Sequence, residues 1–168
     1  MRSGRKAVCG APTCAGIRGG SCPADAEAVA GLWHQYDLYE HGLDKRVTIE
    51  SKRSYLGRFK NILKDKSSII AIAESDSMAV GVIEYVAYKR GMLTIGTLGN
   101  LFVLEEYRGN GIGSQLVGHV VEKLKEKGCS TIRSGVRVRN KKAQRFWRGK
   151  GFKIDLTSIT DYSMAKDL

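Results

Sequence analysis

The chain has 168 residues, one domain's worth, and a fold of this size buries roughly two-thirds of the surface its unfolded chain exposes, enough for a core without staples. Four cysteines, three of them within the first 22 residues (Cys9, Cys14, Cys22), exclude a disulfide scaffold and point to a reducing, cytoplasmic setting; apolar runs no longer than 69–73 and 78–83 exclude a transmembrane helix. The excess of 28 Lys and Arg over 17 Asp and Glu, a net +11, favours anionic partners without choosing among nucleic acid, acidic lipid and a phosphorylated cofactor.

Residues 1–14 are basic, punctuated by Gly and Pro and without periodicity, which predicts a mobile leader. Arg2, Arg5 and Lys6 imitate the start of a signal peptide, but Gly10, Pro12, Gly16 and Gly19 break the apolar core that one needs. A single domain is expected over 15–168. It begins with a short strand over 15–20 and a helix over about 23–39. Pro23 suits a first helical position, Asp25 suits the positive end of the dipole, and Val29, Leu32, Trp33 and Tyr36 recur at helical spacing. A second amphipathic helix over 50–65 carries Tyr55, Leu56, Phe59, Ile62 and Leu63 on one stripe. From residue 67 the period becomes that of strands. The segments 68–74, 79–89 and 92–104, separated by Ser75-Asp76-Ser77 and Arg90-Gly91, form an antiparallel meander. The helix over 114–127 shows Leu116, Val117, Val120, Val121 and Leu124 on one face and stops at Gly128. The strand over 130–139 alternates Ile132, Val136 and Val138 with Arg133, Arg137 and Arg139, giving it a cationic face. Asn140 caps a short helix bearing Ala143, Phe146 and Trp147 and ending at Gly151, and strands over 152–157 and 160–166 close the chain. There is no internal repeat.

The stretch that carries chemistry is 101–114, LFVLEEYRGNGIGS: a strand, a charged turn and a Gly-rich loop directly before a helix. Alternate glycines let the backbone come close to a ligand, and unpaired N–H groups at the helix start, aided by the dipole, favour an anion such as a pyrophosphate. Two other phosphate loops fail on spacing. The nucleotide P-loop requires a Gly-Lys-Ser/Thr ending, whereas Gln115 follows Ser114 and the loop holds no lysine. A dinucleotide fingerprint requires a tight strand-to-helix turn inside a βαβ unit, whereas here four polar residues intervene and a meander precedes.

The run Arg108-Gly109-Asn110-Gly111-Ile112-Gly113 resembles the [RQ]-x-x-G-x-[GA] acyl-CoA motif of the GNAT superfamily of N-acetyltransferases, including the preceding phrase from Phe102 to Tyr107. Asn140, Ala143, Phe146, Trp147, Gly151 and Phe152 are similar to that family's second phrase, N-x-x-A-x-x-[LF]-Y-x-x-x-G-F. The resemblance covers about 15–168 and implies an α/β (α+β) GNAT-like acyl-CoA N-acyltransferase fold. That fold is a mixed, mostly antiparallel central sheet of six to seven strands flanked by four helices and splayed at strands 4 and 5. It also implies acetyl-CoA as cosubstrate and no metal. Backbone groups of Leu101, Phe102 and Val103 would pair with the pantetheine arm, and Arg108, Gly109, Asn110, Gly111, Ile112, Gly113 and Ser114 would hold the pyrophosphate. Asn140, Lys142, Ala143 and Trp147 would line the other side. A bound amine would attack the thioester directly, with a backbone N–H near Phe102 stabilising the oxyanion.

Two positions depart from the family pattern. Trp147 stands where many relatives have a tyrosine acid, and an indole N–H donates a hydrogen bond but supplies no proton. Gly99-Asn100 stands where many relatives have a Glu or Asp. Glu84 is the substitute candidate for the base: it lies in a strand apolar on both sides, where a carboxylate is either buried with a partner or lines a cleft. Tyr107 and Tyr162 read as packing residues. His34 and His41 lie near the end of the first helix, where the family admits its acceptor, and read as solvated side chains within reach of substrate. Cysteines without C-x-x-C spacing argue against zinc held by Cys9, Cys14, Cys22 and a histidine.

The expected function is an acetyl-CoA-dependent N-acetyltransferase acting on a primary amine of a small molecule or protein. Two other readings stay open. One is a nucleic-acid-directed module, including an aminoacyl-tRNA acetyltransferase. The interval 137–153 offers it eight Lys or Arg and no acid, although the 3′-phosphate of CoA accounts for part of that charge. The other is a GNAT-like domain that binds CoA without catalysis, suggested by Trp147 and Gly99. No membrane partner is expected, and a homodimer stays open.

Overall fold

The computed structural model describes residues 16–168; the leader expected over 1–14, with Cys9 and Cys14, lies outside the described residues. The Ile-, Val- and Tyr-rich segments become β1 (Gly16–Gly19), β2 (Ile69–Ser75), β3 (Met78–Arg90), β4 (Leu93–Val103), β5 (Thr131–Arg137), β6 (Lys153–Thr157) and β7 (Asp161–Asp167). They pair in the order β1-β2-β3-β4-β5-β7-β6. Every neighbouring pair is antiparallel except β4 with β5.

Among the described residues, four helices cover this sheet: α1 (Ala26–Leu43), which follows a 3₁₀ turn at Pro23–Asp25, α2 (Lys52–Asp65), α3 (Ile112–Glu126) and α4 (Lys141–Gly149). Helix α1 runs past the expected end because Tyr39 and Glu40 extend its inward-facing stripe. On one face, Val29, Leu32 and Trp33 of α1 and Tyr55, Phe59 and Ile62 of α2 pack on Ile70, Ile72, Val82 and Phe102. On the other, Ile112, Leu116, Val117, Val120 and Leu124 of α3 and Trp147 of α4 pack on Ala71, Ala73, Ile83, Leu98 and Ile132. Each such aliphatic side chain contributes roughly 1.5–3 kcal/mol, so burial of the stripe, more than helical propensity, holds α3 in place. No described helix is long and apolar enough to cross a membrane.

The feature that positions the site is where β4 leaves β5. The two strands pair only from Ile95 opposite Thr131 to Leu98 opposite Ser134. Beyond that point β4 stays with β3, and β5 stays with β7. A bulge marks the divergence: Gly99 stands opposite Glu84 and Phe102 opposite Val82, so β4 uses one more residue than β3 over this interval. Asn100, inside the bulge, takes a positive φ of 47°. One inserted residue reverses side-chain parity. Leu98, Leu101 and Val103 therefore all face α3, while Phe102 turns to the α1 side.

Candidate active site

A cavity of about 660 Å³ opens at this divergence, and thirteen of the fourteen expected cofactor-binding residues line it. Asn110 is the exception; its amide reaches the Tyr107 carbonyl at 3.4 Å. The glycine loop is built for a ligand at the start of α3. Gly109 and Gly111 hold φ of 84° and 79°, a region that L side chains enter at a cost. Gly111 is the N-cap and provides no side-chain cap, and the first helical bond runs from the Gln115 N–H to the Gly111 carbonyl at 3.0 Å. The N–H groups of Ile112, Gly113 and Ser114 therefore have no intrahelical acceptor. With Lys142 on the same cavity, this donor set fits a pyrophosphate.

The β4 edge forms the second wall. The Leu104 N–H donates to the Val80 carbonyl at 2.9 Å, so by strand alternation the N–H of Phe102 also faces β3. The backbone groups of Leu101 and Val103 face the gap instead. The donors free near Phe102 are therefore those of its two neighbours: Phe102 keeps its N–H in the sheet and presents a buried ring edge-on to Tyr36, 6.2 Å between centroids.

The third wall comes from α1 and has no counterpart among the expected site residues. Tyr36, Tyr39 and Glu40 line the cavity. Glu40 is only 4% exposed; its Oε1 accepts from Asn140 Nδ2 at 2.6 Å, and its Oε2 has no partner among the described residues. Asn140 in turn accepts from the Ala143 N–H at 2.9 Å, capping α4, which fixes the orientation of its amide. Burial raises the Glu40 carboxyl above its ordinary value, against the pull of the Asn140 bond and of Arg137. Burial and the Glu40 charge also raise the Tyr36 phenol, which stays neutral near pH 7. A signal for this residue exists in the sequence. Trp33, Tyr36 and Glu40 recur at helical spacing, and a carboxylate on an apolar stripe requires a buried task.

The other candidates lie elsewhere. Glu84 is not part of the cavity lining; it accepts from Arg58 Nη2 at 2.5 Å, Ser68 Oγ at 2.7 Å and Asn100 Nδ2 at 2.8 Å. Partial burial with partners, the first of the two readings open to a carboxylate in that strand, describes it. His34 and His41 contact the Glu50 and Val47 carbonyls through Nδ1 at 2.9 and 2.7 Å, holding the α1–α2 connection. Tyr107 lines the cavity and Tyr162 does not. Trp147 is buried in an aromatic stack, 4.8 Å from Phe152 and 5.3 Å from Phe146 between centroids. The arginines of β5 and the turn after it are largely neutralised: Arg133 meets Asp155 at 2.9 Å, Arg137 meets Asp161 at 3.5 Å and Arg139, beyond the strand, meets Asp44 at 3.8 Å.

Comparison with known proteins agrees with this geometry. The sequence profile of the Acetyltransferase (GNAT) family matches residues 32–152. An uncharacterized N-acetyltransferase of Mycobacterium bovis is 31% identical over 119 residues, 66% of this chain and 74% of that one. The thialysine N-epsilon-acetyltransferase of Bos taurus is 42% identical over 60 residues, 36% of this chain and 35% of that one. Among solved structures, the PaiA N-acetyltransferase of Thermoplasma acidophilum in complex with coenzyme A shares the fold at a TM-score of 0.76 and 22% identity, over 91% of this chain and 99% of that one. The splayed sheet, the uncapped helix start and the profile match converge on one assignment: the chain belongs to the acetyltransferase (GNAT) family and is an acyltransferase.

Proposed function

We propose that the chain transfers the acetyl group of acetyl-CoA to a primary amine of a small molecule or protein, by direct attack with both substrates bound. The observation that carries this reading is the meeting, in one cavity, of an open β4 edge and the uncapped start of α3. Acetyl-CoA supplies the activated thioester when bound. The N–H groups of Ile112, Gly113 and Ser114 would hold its pyrophosphate, and the backbone of Leu101 and Val103 would pair with its arm and offer N–H donors to the developing oxyanion. No side-chain acid is required at Trp147, because a thiol pKa of about 8.5 makes the thiolate a tolerable leaving group near neutral pH. The local likeness to thialysine N-epsilon-acetyltransferase, over 60 residues, favours a small flexible amine, and a scarcity of cysteine fits a cytoplasmic setting. Lys142 on the cavity supports reading part of the basic α4 surface as serving CoA phosphate, ahead of nucleic acid.

The test has two arms. Acetyl-CoA at about 100 times its dissociation constant should stabilise the fold by roughly 2.7 kcal/mol, and Gly111→Val should diminish that gain. A screen of thialysine, spermidine and a peptide with a free N-terminus should show amine-dependent CoA release. Absence of acetyl-CoA binding by calorimetry overturns the reading.

A further inference from the structure

Among the described residues, Oε2 of Glu40 is the one side-chain oxygen of the cavity lining that is buried without a hydrogen-bond donor. Glu40 lies in the last turn of α1, 4% exposed, with Oε1 tied to Asn140 and Oε2 without a donor among the described residues. Removing a carboxylate oxygen from water without a hydrogen bond costs free energy, and the cost is recovered where a ligand brings the donor. The charged groups that face it do not supply one. Arg137 on β5 attracts from a distance while tied to Asp161, and Asp161 on β7 and Asp37 on α1 repel. Tyr36 and Tyr39, one turn before and one residue before Glu40, complete an anionic corner with aromatic walls on the cavity that holds the β4 edge.

We propose that Oε2 of Glu40 receives the ammonium group of the acceptor and is the base that takes its proton, so that the substrate class is a primary ammonium carried on an arm without a carboxylate close to it. This rests on the acetyltransferase reading above. The acceptor enters as R–NH3⁺ and donates one proton to Glu40 Oε2. The freed nitrogen lone pair forms a C–N bond to the acetyl carbon while the C–S bond of the thioester breaks and its electrons remain on sulfur. The second proton lost by nitrogen goes to that sulfur, and Glu40 later releases its proton to solvent. The balance is one ammonium and one thioester in, one amide, one thiol and one proton out. Burial strengthens the carboxylate as a base, and Asn140 fixes the carboxylate in the cavity lining by holding its other oxygen.

The experiment compares the full chain with Glu40→Gln and Glu40→Asp, using thialysine, spermidine and an N-terminal-alanine peptide as probes. For the amine that the wild-type protein acetylates best, Glu40→Gln should lose about a hundredfold or more in turnover at pH 7 with acetyl-CoA affinity within about twofold, and Glu40→Asp should recover part of the loss. The wild-type kcat/KM profile should show an acid limb set by Glu40, whereas the Gln variant should rise only as the amine deprotonates by itself.

A readout free of turnover accompanies it. Because the folded carboxyl titrates above its ordinary value, Glu40's contribution to stability is present below that ordinary value and is lost as pH rises through the raised one. The melting temperature of Glu40→Gln should therefore gain on the wild type as pH rises. A Gln variant within about threefold of wild-type turnover across the pH range overturns the Glu40 assignment and leaves the acetyltransferase reading standing. Loss of acetyl-CoA affinity in proportion to turnover overturns it too. A wild-type protein that binds acetyl-CoA and acetylates none of the amines overturns that reading, and the assignment with it.

Discussion

Arg108 Nε donates to the Val103 carbonyl at 2.8 Å, so the first residue of the glycine loop is bolted to the last residue of β4. Its guanidinium also lies 4.7 Å from the centre of the Tyr39 ring and 5.2 Å from that of Phe102. One side chain thus joins the phosphate loop, the open strand edge and α1. Arg108→Ala removes a charge-assisted hydrogen bond and two cation–π contacts, and should cost about 2 kcal/mol in urea unfolding and weaken acetyl-CoA binding about tenfold. Arg108→Lys should recover little, since an ammonium cannot donate along the strand and lie flat on a ring at once. An unfolding midpoint and a dissociation constant both unchanged in Arg108→Ala would sink this account.

Trp147 is placed to pack. It is buried between Phe146 and Phe152. Trp147→Phe should destabilise the fold by about 1–3 kcal/mol, below the cost of full truncation, and keep turnover within about threefold. A hundredfold loss of turnover, roughly 2.7 kcal/mol in barrier, with fold and acetyl-CoA affinity intact, would assign the indole a catalytic part.

Glu84 serves the bulge. Its carboxylate collects Arg58 of α2, Ser68 and the Asn100 amide, tying a helix and two strands together. We expect Glu84→Gln to lower the free energy of unfolding by about 1–2 kcal/mol, because hydrogen bonds to a charged group are replaced by neutral ones, and to change turnover less than tenfold. The comparison with Glu40→Gln is direct. A larger effect on turnover at position 84 than at position 40 would reverse the roles given to the two carboxylates.

Asp25 links stability to pH. Arg18 donates to both of its oxygens, at 2.6 and 3.0 Å, and the Cys22 N–H donates at 2.6 Å. These bonds, Arg18's first, hold the Asp25 carboxyl down from 3.8 to about 2. A depressed carboxyl contributes stability above its unfolded value and loses it as pH falls through the folded one. The side chain of Arg18 is 38% exposed, so we discount the contribution to about 1 kcal/mol. Denaturant titration of Asp25→Asn should show that deficit at pH 7 and a shrinking one between pH 4 and 2; a deficit independent of pH would refute the linkage.

What the sequence by itself determined is what neighbours along the chain decide. Gly109, Gly111 and Gly113, the stripe from Leu116 to Leu124, and Asn140 followed by Ala143 state their loop, helix and cap locally, because turn conformation, helical period and capping depend on residues within a turn of one another. The order of strands and helices follows from the same signals. The tertiary structure alone decided which backbone and side-chain groups meet. Asn100 in the β4 bulge reversed side-chain parity and turned Phe102 to the α1 side, and Glu84, opposite Gly99, was drawn to Arg58 of a helix 26 residues away. Glu40 and Asn140 are 100 residues apart and touch because β4 and β5 part beyond Leu98 and Ser134. No local pattern encodes that contact. It depends on strand register and on the packing of α1 across the sheet, which arise only when the whole core assembles.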